Sequence, residues 1–236
     1  AYGSSGGSVE PVQAFGQMLA TGSMQGVNST SYIQMMAHTT AVNIGLYFGL
    51  KGRIIPTSSA CTSGSQGIGY ACEAIRYGKQ PLMVAGGAEE LSAAGAAVFD
   101  TLFATSTRND APSTTPRPFD RDRDGLVVGE GAATLVLEDY DHAVARGART
   151  YAEVVGFATN SDGTHVTEPE VDTMARVMTL ALQDAGLAPG AVGYVSAHGT
   201  ATDLGDVAEC RATSQVLGER VPISSMKSYL GHTLGA

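Results

Sequence analysis

At 236 residues with 43% hydrophobic side chains, the chain can bury a substantial core as one large domain or two small ones. Its net charge of −9, without any run of Lys and Arg, excludes nucleic acid as a partner, because phosphate binding needs clustered cations. No apolar stretch is long enough to span a bilayer and no signal-peptide pattern opens the chain, so a cytoplasmic protein without membrane contact is expected.

Only 16% of residues are charged, Gly numbers 30 and Trp is absent, a composition that points to an α/β protein rich in buried strands and tight turns. The chain opens on Ala1-Tyr2-Gly3 without an initiator Met and stops within small residues at Gly235-Ala236, so a fragment of a longer protein is expected. Residues Tyr32 to Leu50, with Met35, Met36, Ile44, Leu46, Tyr47 and Phe48, read most simply as a buried helix. Thr62 to Tyr77 places Ile68, Ala71, Cys72 and Ile75 on one helical face, with Gly78 as its stop. Leu82 to Ala85 reads as a buried strand before a close turn at Gly86-Gly87, completing a βαβ crossover.

Two apolar runs, Leu126 to Val128 and Thr134 to Leu137, flank the small residues around Glu130 and suit an antiparallel pair. A helix is expected from Asp139 to Arg146, ending at Gly147. Met174, Val177, Met178, Ala181, Leu182 and Ala185 share one face of a helix capped by Asp172 and stopped by Gly186. A strand from Val192 to Ala197, a helix from Asp206 to Leu217 and a strand from Val221 to Ser224 follow. Two αβ halves thus join near Glu138: residues 1–138, and residues 139–236.

Ser58-Ser59-Ala60-Cys61-Thr62-Ser63-Gly64 turns from a strand-like run into a helix and surrounds its cysteine with residues too small to cover the sulfur. The positive end of a helix favours a thiolate, so Cys61 reads as a nucleophile as readily as a small packing residue. The three cysteines lack any C-x-x-C spacing, and an odd number leaves at least one outside an intramolecular disulfide. Cys72 and Cys210 read as packing residues within helices. His198 and His232 each follow an expected strand end, where a histidine beside glycine is commonly a structural donor. Taken with Cys61, they form a set suited to nucleophile, base and oxyanion-donor roles.

Four ordered motifs carry a resemblance. Ser59-Ala60-Cys61-Thr62-Ser63-Gly64, then Arg117-Pro118-Phe119-Asp120 with Arg123-Asp124-Gly125 and Gly129-Glu130-Gly131-Ala132, then His198-Gly199-Thr200-Ala201-Thr202, and finally Lys227 to His232, are similar to those of elongating β-ketoacyl-[acyl carrier protein] synthases. The resemblance implies a thiolase-like α/β fold, in which two similar halves make a five-layered αβαβα sandwich. It implies that Cys61 accepts an acyl group from acyl carrier protein, and that His198 and His232 stabilise the enolate formed when malonyl-ACP loses CO2. No metal or redox cofactor enters this chemistry.

The same resemblance makes Lys227 and Glu209 a structural ion pair near the histidines, although Glu209, three residues after Asp206, also suits a capping box. Thr200 and Thr202 match threonines that bind the phosphopantetheine arm, where the plain reading is a solvated turn. Glu130 and Asp124 read as structural, and His38, His142 and His165 match no motif. The Tyr32 to Leu50 segment resembles the family's acyl-pocket lining and homodimer interface. Family members extend beyond both ends of this chain and supply a further oxyanion N–H and a gating aromatic from the later part. Two rivals remain: a non-catalytic chain-length-factor-type subunit, which lacks the nucleophilic cysteine, and a thiolase, which needs a second cysteine late in its chain.

Overall fold

The computed structural model describes residues 1–164 and 169–236, and His165 lies outside the described residues. In chain order the elements are β1 (Tyr2–Gly3), α1 (Val9–Thr21), α2 (Ser31–Gln34), α3 (Thr39–Tyr47), β2 (Pro56–Thr57), α4 (Ser63–Arg76), β3 (Leu82–Glu89) and α5 (Ala93–Thr101). They continue with β4 (Gly131–Glu138), α6 (Tyr140–Ala145), α7 (Val171–Ala185), β5 (Val195–Ser196), α8 (Asp203–Leu217), β6 (Ile223–Ser224) and α9 (Lys227–Leu230). Contacts divide the chain into two compact units, the first comprising residues 1–94, 129–151 and 233–236, the second residues 95–128 and 152–232. Among the described residues no helix is long and apolar enough to cross a membrane.

In the first unit a four-stranded sheet runs in the order β2, β1, β3, β4. β2 and β3 both lie parallel to β1, so α4 is the crossover helix that the sequence pattern predicts. Its apolar face buries Ala71 and Ala74 against Met83 and Ala85 of β3, with Ile55, Ile68, Ile75 and Leu137 packed around them. Gly78, at φ +64, ends the helix in the left-handed conformation expected of a C-terminal glycine. Asp139 caps α6 by accepting the His142 N–H at 3.2 Å.

Three expectations in this unit need correction. Gly86 and Gly87 do not turn the chain; they continue β3, because a Cβ on Gly86 would stand 2.0 Å from the Ala133 carbonyl oxygen of β4. The antiparallel partner of β4 is β3 along its whole length, from Leu82 opposite Glu138 to Glu89 opposite Gly131. Leu126 to Val128 instead makes single parallel bridges to Thr105 and His232. The Tyr32 to Leu50 segment is not a buried helix: it forms α2 and α3, and Tyr32, Ile33, Leu46, Tyr47 and Phe48 are exposed.

The second unit centres on a parallel pair, Val195 opposite Ile223 and Ser196 opposite Ser224, joined through α8 as a second crossover. Both strands are shorter than their apolar runs suggest. The α8 helix begins at Asp203 rather than Asp206, and α7 begins after Glu170 rather than Asp172. Ala175 of α7 and Ala208 and Ala212 of α8 are buried where these two helices pack, and Gly186 closes α7 in the left-handed conformation at φ +65.

Candidate active site

In the first unit, Cys61 occupies the turn between β2 and α4. Ala60, just before it, is held at φ +52, a region costly for a side chain bearing a Cβ. Three hydroxyls fix this bend. Ser63, fully buried, accepts the Ser59 N–H at 2.9 Å and donates to the Ala60 carbonyl at 2.7 Å. Thr57 donates to the Ser63 carbonyl at 2.8 Å, and Thr62 donates to the Ser59 carbonyl at 2.9 Å. The start of α4 can lie this close to β1 because position 3 is glycine, where a Cβ would fall 2.3 Å from the Ser63 carbonyl carbon. Small residues therefore serve backbone approach as well as access to the sulfur.

In the second unit the remaining candidates lie in the segments after β5 and β6; His198 follows β5 closely, whereas His232, expected at a strand end, comes only after the short helix α9 that follows β6. The His198 imidazole meets that of His232 edge to face with ring centroids 5.2 Å apart. His232 is anchored by its backbone N–H on the Val127 carbonyl at 2.7 Å and is 3% exposed, with the Phe99 ring 6.4 Å away. Lys227, the first residue of α9, donates from Nζ to the His198 carbonyl at 2.7 Å. Glu209 accepts the backbone N–H groups of His198 and Gly199, each at 2.7 Å. The two residues expected to pair thus both bind His198, Lys227 at its carbonyl and Glu209 at its N–H. A capping box for Glu209 is ruled out, since the helix starts six residues earlier, at Asp203.

Electrostatics keep both rings neutral. Burial first, then the charges of His198 and Lys227, push the His232 pKa down to about 3. His198 keeps accessible surface, yet the surrounding protein, followed by the Lys227 ammonium, lowers its pKa to about 4. Near neutral pH each imidazole therefore carries one N–H and one lone pair. The Thr200 and Thr202 hydroxyls lie 2.8 Å apart just ahead of α8, over Gly205, where a Cβ would crowd the Thr202 hydroxyl at 2.5 Å.

Sequence reasoning missed three supporting residues. Asp206 is 2% exposed and accepts the N–H groups of Phe119 at 2.7 Å and Ala201 at 3.1 Å. Ser225 donates to the carbonyls of His198 and Gly199, at 3.2 and 2.9 Å. Phe119 packs its ring against Gly199. The available signal was an acid lying four residues after Thr202, masked because Asp206 suited a helix cap so well. Asp124 is structural as read, accepting from the Ser106 hydroxyl at 2.9 Å and the Thr107 N–H at 3.1 Å. Cys210, read as a packing residue, is exposed.

Parallel strands that present reactive groups at their carboxyl ends define an α/β protein of the kind in which sites form at strand termini. The N-terminal domain model of the β-ketoacyl synthases matches residues 3–143, and their C-terminal domain model matches residues 151–236. The chain belongs to the β-ketoacyl synthase family. It is 44% identical over 243 residues to 3-oxoacyl-[acyl-carrier-protein] synthase 2 of Vibrio cholerae and 43% identical to that of Vibrio harveyi, all of this chain aligning with 59% of each relative.

Among solved structures, a β-ketoacyl synthase from Burkholderia phymatum superposes with a TM-score of 0.98 at 69% identity, over all of this chain and 58% of that one. The ishigamide ketosynthase/chain length factor gives 0.91 at 33% identity, over 100% and 58%. A type II polyketide synthase acyl-carrier protein in complex with its ketosynthase gives 0.89 at 33% identity, over 99% and 60%. The fold is the thiolase-like α/β fold of these proteins. The chain spans about 59% of the length of the curated relatives it matches.

Proposed function

We propose that the protein containing this chain is a 3-oxoacyl-[acyl carrier protein] synthase, which joins an acyl group to a malonyl unit with loss of CO2 in fatty acid or related biosynthesis. The observation that carries this reading is the pair of neutral imidazoles, ring centroids 5.2 Å apart, beside an ammonium group in the segments that follow β5 and β6. Such a pair suits negative charge that develops on one oxygen during reaction. Retention of Cys61 supports the catalytic reading over a chain-length-factor-type subunit, and the names of the curated relatives agree with it.

The chemistry proceeds in two stages. The Cys61 thiolate attacks the carbonyl of an acyl-carrier thioester, the bond from that carbonyl to the carrier sulfur breaks, and the departing carrier thiolate takes up the proton that Cys61 had released. Malonyl-ACP then presents its thioester oxygen to the N–H groups of His198 and His232. The bond between C2 and the carboxylate breaks, CO2 departs, and the electron pair becomes an enolate whose oxygen these donors stabilise. Each donor in a dry site is worth roughly 3 kcal/mol. The enolate carbon attacks the Cys61 thioester, the thiolate leaves, and 3-oxoacyl-ACP is released.

Lys227 favours the neutral form of both rings, and Glu209 fixes the loop that bears one of them. Thr200 and Thr202 bind the phosphopantetheine arm. A similar ketosynthase is known in complex with acyl carrier protein, which supports a carrier partner here. The exposed apolar side chains of α2 and α3 support a homodimer. A cytoplasmic location accompanies this reading.

The deciding experiment supplies the full-length protein with acyl-ACP and malonyl-ACP and follows CO2 and 3-oxoacyl-ACP. Release of both, dependent on Cys61, is expected. Reaction of acetyl-CoA with acyl-CoA and no use of malonyl-ACP would make it a thiolase, and inactivity except beside a second synthase subunit would make it a chain-length partner.

A further inference from the structure

Phe119 is held at φ +65, a conformation that a side chain with a Cβ enters only when its surroundings impose it. Those surroundings are specific. Its N–H donates to Asp206 Oδ2 at 2.7 Å, while Asp206 Oδ1 accepts the Ala201 N–H at 3.1 Å. Arg123 lies 3.7 Å from the same carboxylate and donates to the carbonyls of Thr202 and Asp203, at 3.2 and 3.0 Å. One buried acid and one arginine thus tie the loop of Phe119 to the loop that follows β5.

The aromatic ring completes this tie. Phe119 Cε2 and Cζ both lie 2.9 Å from the place a Cβ would take on Gly199, so the ring rests on the bare face of that glycine. Gly199 stands at φ +38 and directly follows His198. Glu209, Lys227 and Ser225 restrain the backbone of His198 and Gly199 through polar bonds; Phe119 is the apolar surface against which that backbone is pressed. The proposed chemistry gives this phenyl ring no other task.

We propose that Phe119 is a positioning residue, which acts through Gly199 to hold the His198 imidazole in the direction its N–H needs to meet the substrate thioester oxygen. This inference rests on the condensing-enzyme reading for its chemistry, while its structural content can be measured without it. Among the described residues of this unit the groups facing the His198 ring are His232 and Lys227, and the substitutions at Phe119 replace neither.

The test uses Phe119→Leu and Phe119→Met in full-length protein, with four readouts: thermal midpoint, acylation of Cys61, decarboxylation of malonyl-ACP, and titration of a labelled His198 ring by NMR. For Phe119→Leu, decarboxylation should fall roughly ten- to a hundredfold, the scale of loss when a reacting group is misplaced by about an ångström. Acylation should be unchanged, and His198 should titrate at higher pH because a displaced ring moves away from the Lys227 ammonium and the protein packed around it. Phe119→Met, which restores bulk over Gly199, should recover most of the rate.

A folded Phe119→Leu with unchanged decarboxylation or an unchanged His198 titration overturns the proposal. Parallel loss of acylation, decarboxylation and thermal midpoint, or failure of both variants to fold, shows a structural residue instead. A wild-type protein that never decarboxylates malonyl-ACP sinks the condensing-enzyme reading, while the His198 titration still decides whether Phe119 holds that ring.

Discussion

Glu209 holds His198 by its backbone: one carboxylate oxygen accepts the His198 N–H at 2.7 Å and the other accepts the adjacent Gly199 N–H at the same distance. Only a carboxylate offers two acceptors in this geometry. Glu209→Gln keeps the shape but turns an NH2 group toward one of these N–H donors, leaving it unsatisfied in a buried setting. The expected loss of stability is about 1–3 kcal/mol by denaturant titration. Decarboxylation of malonyl-ACP should fall with it, while the alkylation rate of Cys61, which belongs to the other compact unit, stays near that of the wild type.

The amphipathic helices were legible because their periodicity is local: the buried face of α4, the face of α7 and the stops at Gly78 and Gly186 depend on neighbours within a few residues. Pairing of β4 was not, since Leu126 to Val128 and Leu82 to Glu89 offer similar apolar runs and only close backbone approach at Gly86 selects the latter. Cys61, His198 and His232 could be named from motif order and from strand ends. Asp206, Ser225 and Phe119 could not, because each acts on backbone atoms distant in sequence, and a capping acid looks the same in one dimension as a buried clamp.

Stability should depend on pH through the two histidines. Folding lowers His232 to about 3 and His198 to about 4 from an ordinary 6.5, so in this window the unfolded chain binds protons that the folded protein refuses. Their contribution is complete above pH 6.5 and is lost as pH falls toward the folded values. Glu138 acts in a lower window: its hydrogen bond to Arg146 outweighs the upward push of desolvation and, with His142, holds it at about 2 against an ordinary 4.5. Between pH 6.5 and 4.5 the denaturant midpoint should therefore fall, and fall less steeply in His232→Gln. An identical slope in that variant would mean the ring is not the group being titrated.

Exposure alone would make Cys210 the most reactive thiol, but its surroundings oppose that. Partial burial first, then the Asp206 and Glu209 carboxylates, raise the Cys210 pKa and keep the sulfur protonated. Cys61 sits in the strained turn ahead of α4, whereas Cys72 lies within that helix. An electrophile that mimics an acyl group should label Cys61 first, as read by peptide mass mapping at short times. Equal early labelling of Cys72 or Cys210 would remove the case for a specialised thiol.

The division of labour between the thiol and the histidines can be separated by two substitutions in the full-length protein. Cys61→Gln removes the acyl acceptor but leaves the imidazole pair intact, so condensation should be abolished while malonyl-ACP decarboxylation remains measurable. His232→Ala should do the reverse. The helix that follows Cys61 directs its positive end toward the turn, so a thiolate there does not depend on an imidazole base, and acylation should survive. Loss of one N–H from the enolate oxygen should slow decarboxylation by roughly a hundred- to a thousandfold, the usual effect of deleting an oxyanion donor. His198→Ala should act in the same direction, with an added loss because Gly199 and Thr200 lose the side chain that precedes them. Acylation is read by intact mass after brief exposure to acyl-ACP, and decarboxylation by labelled CO2. If folded His232→Ala can no longer be acylated, His232 is the base that activates Cys61, and the oxyanion role passes to other donors.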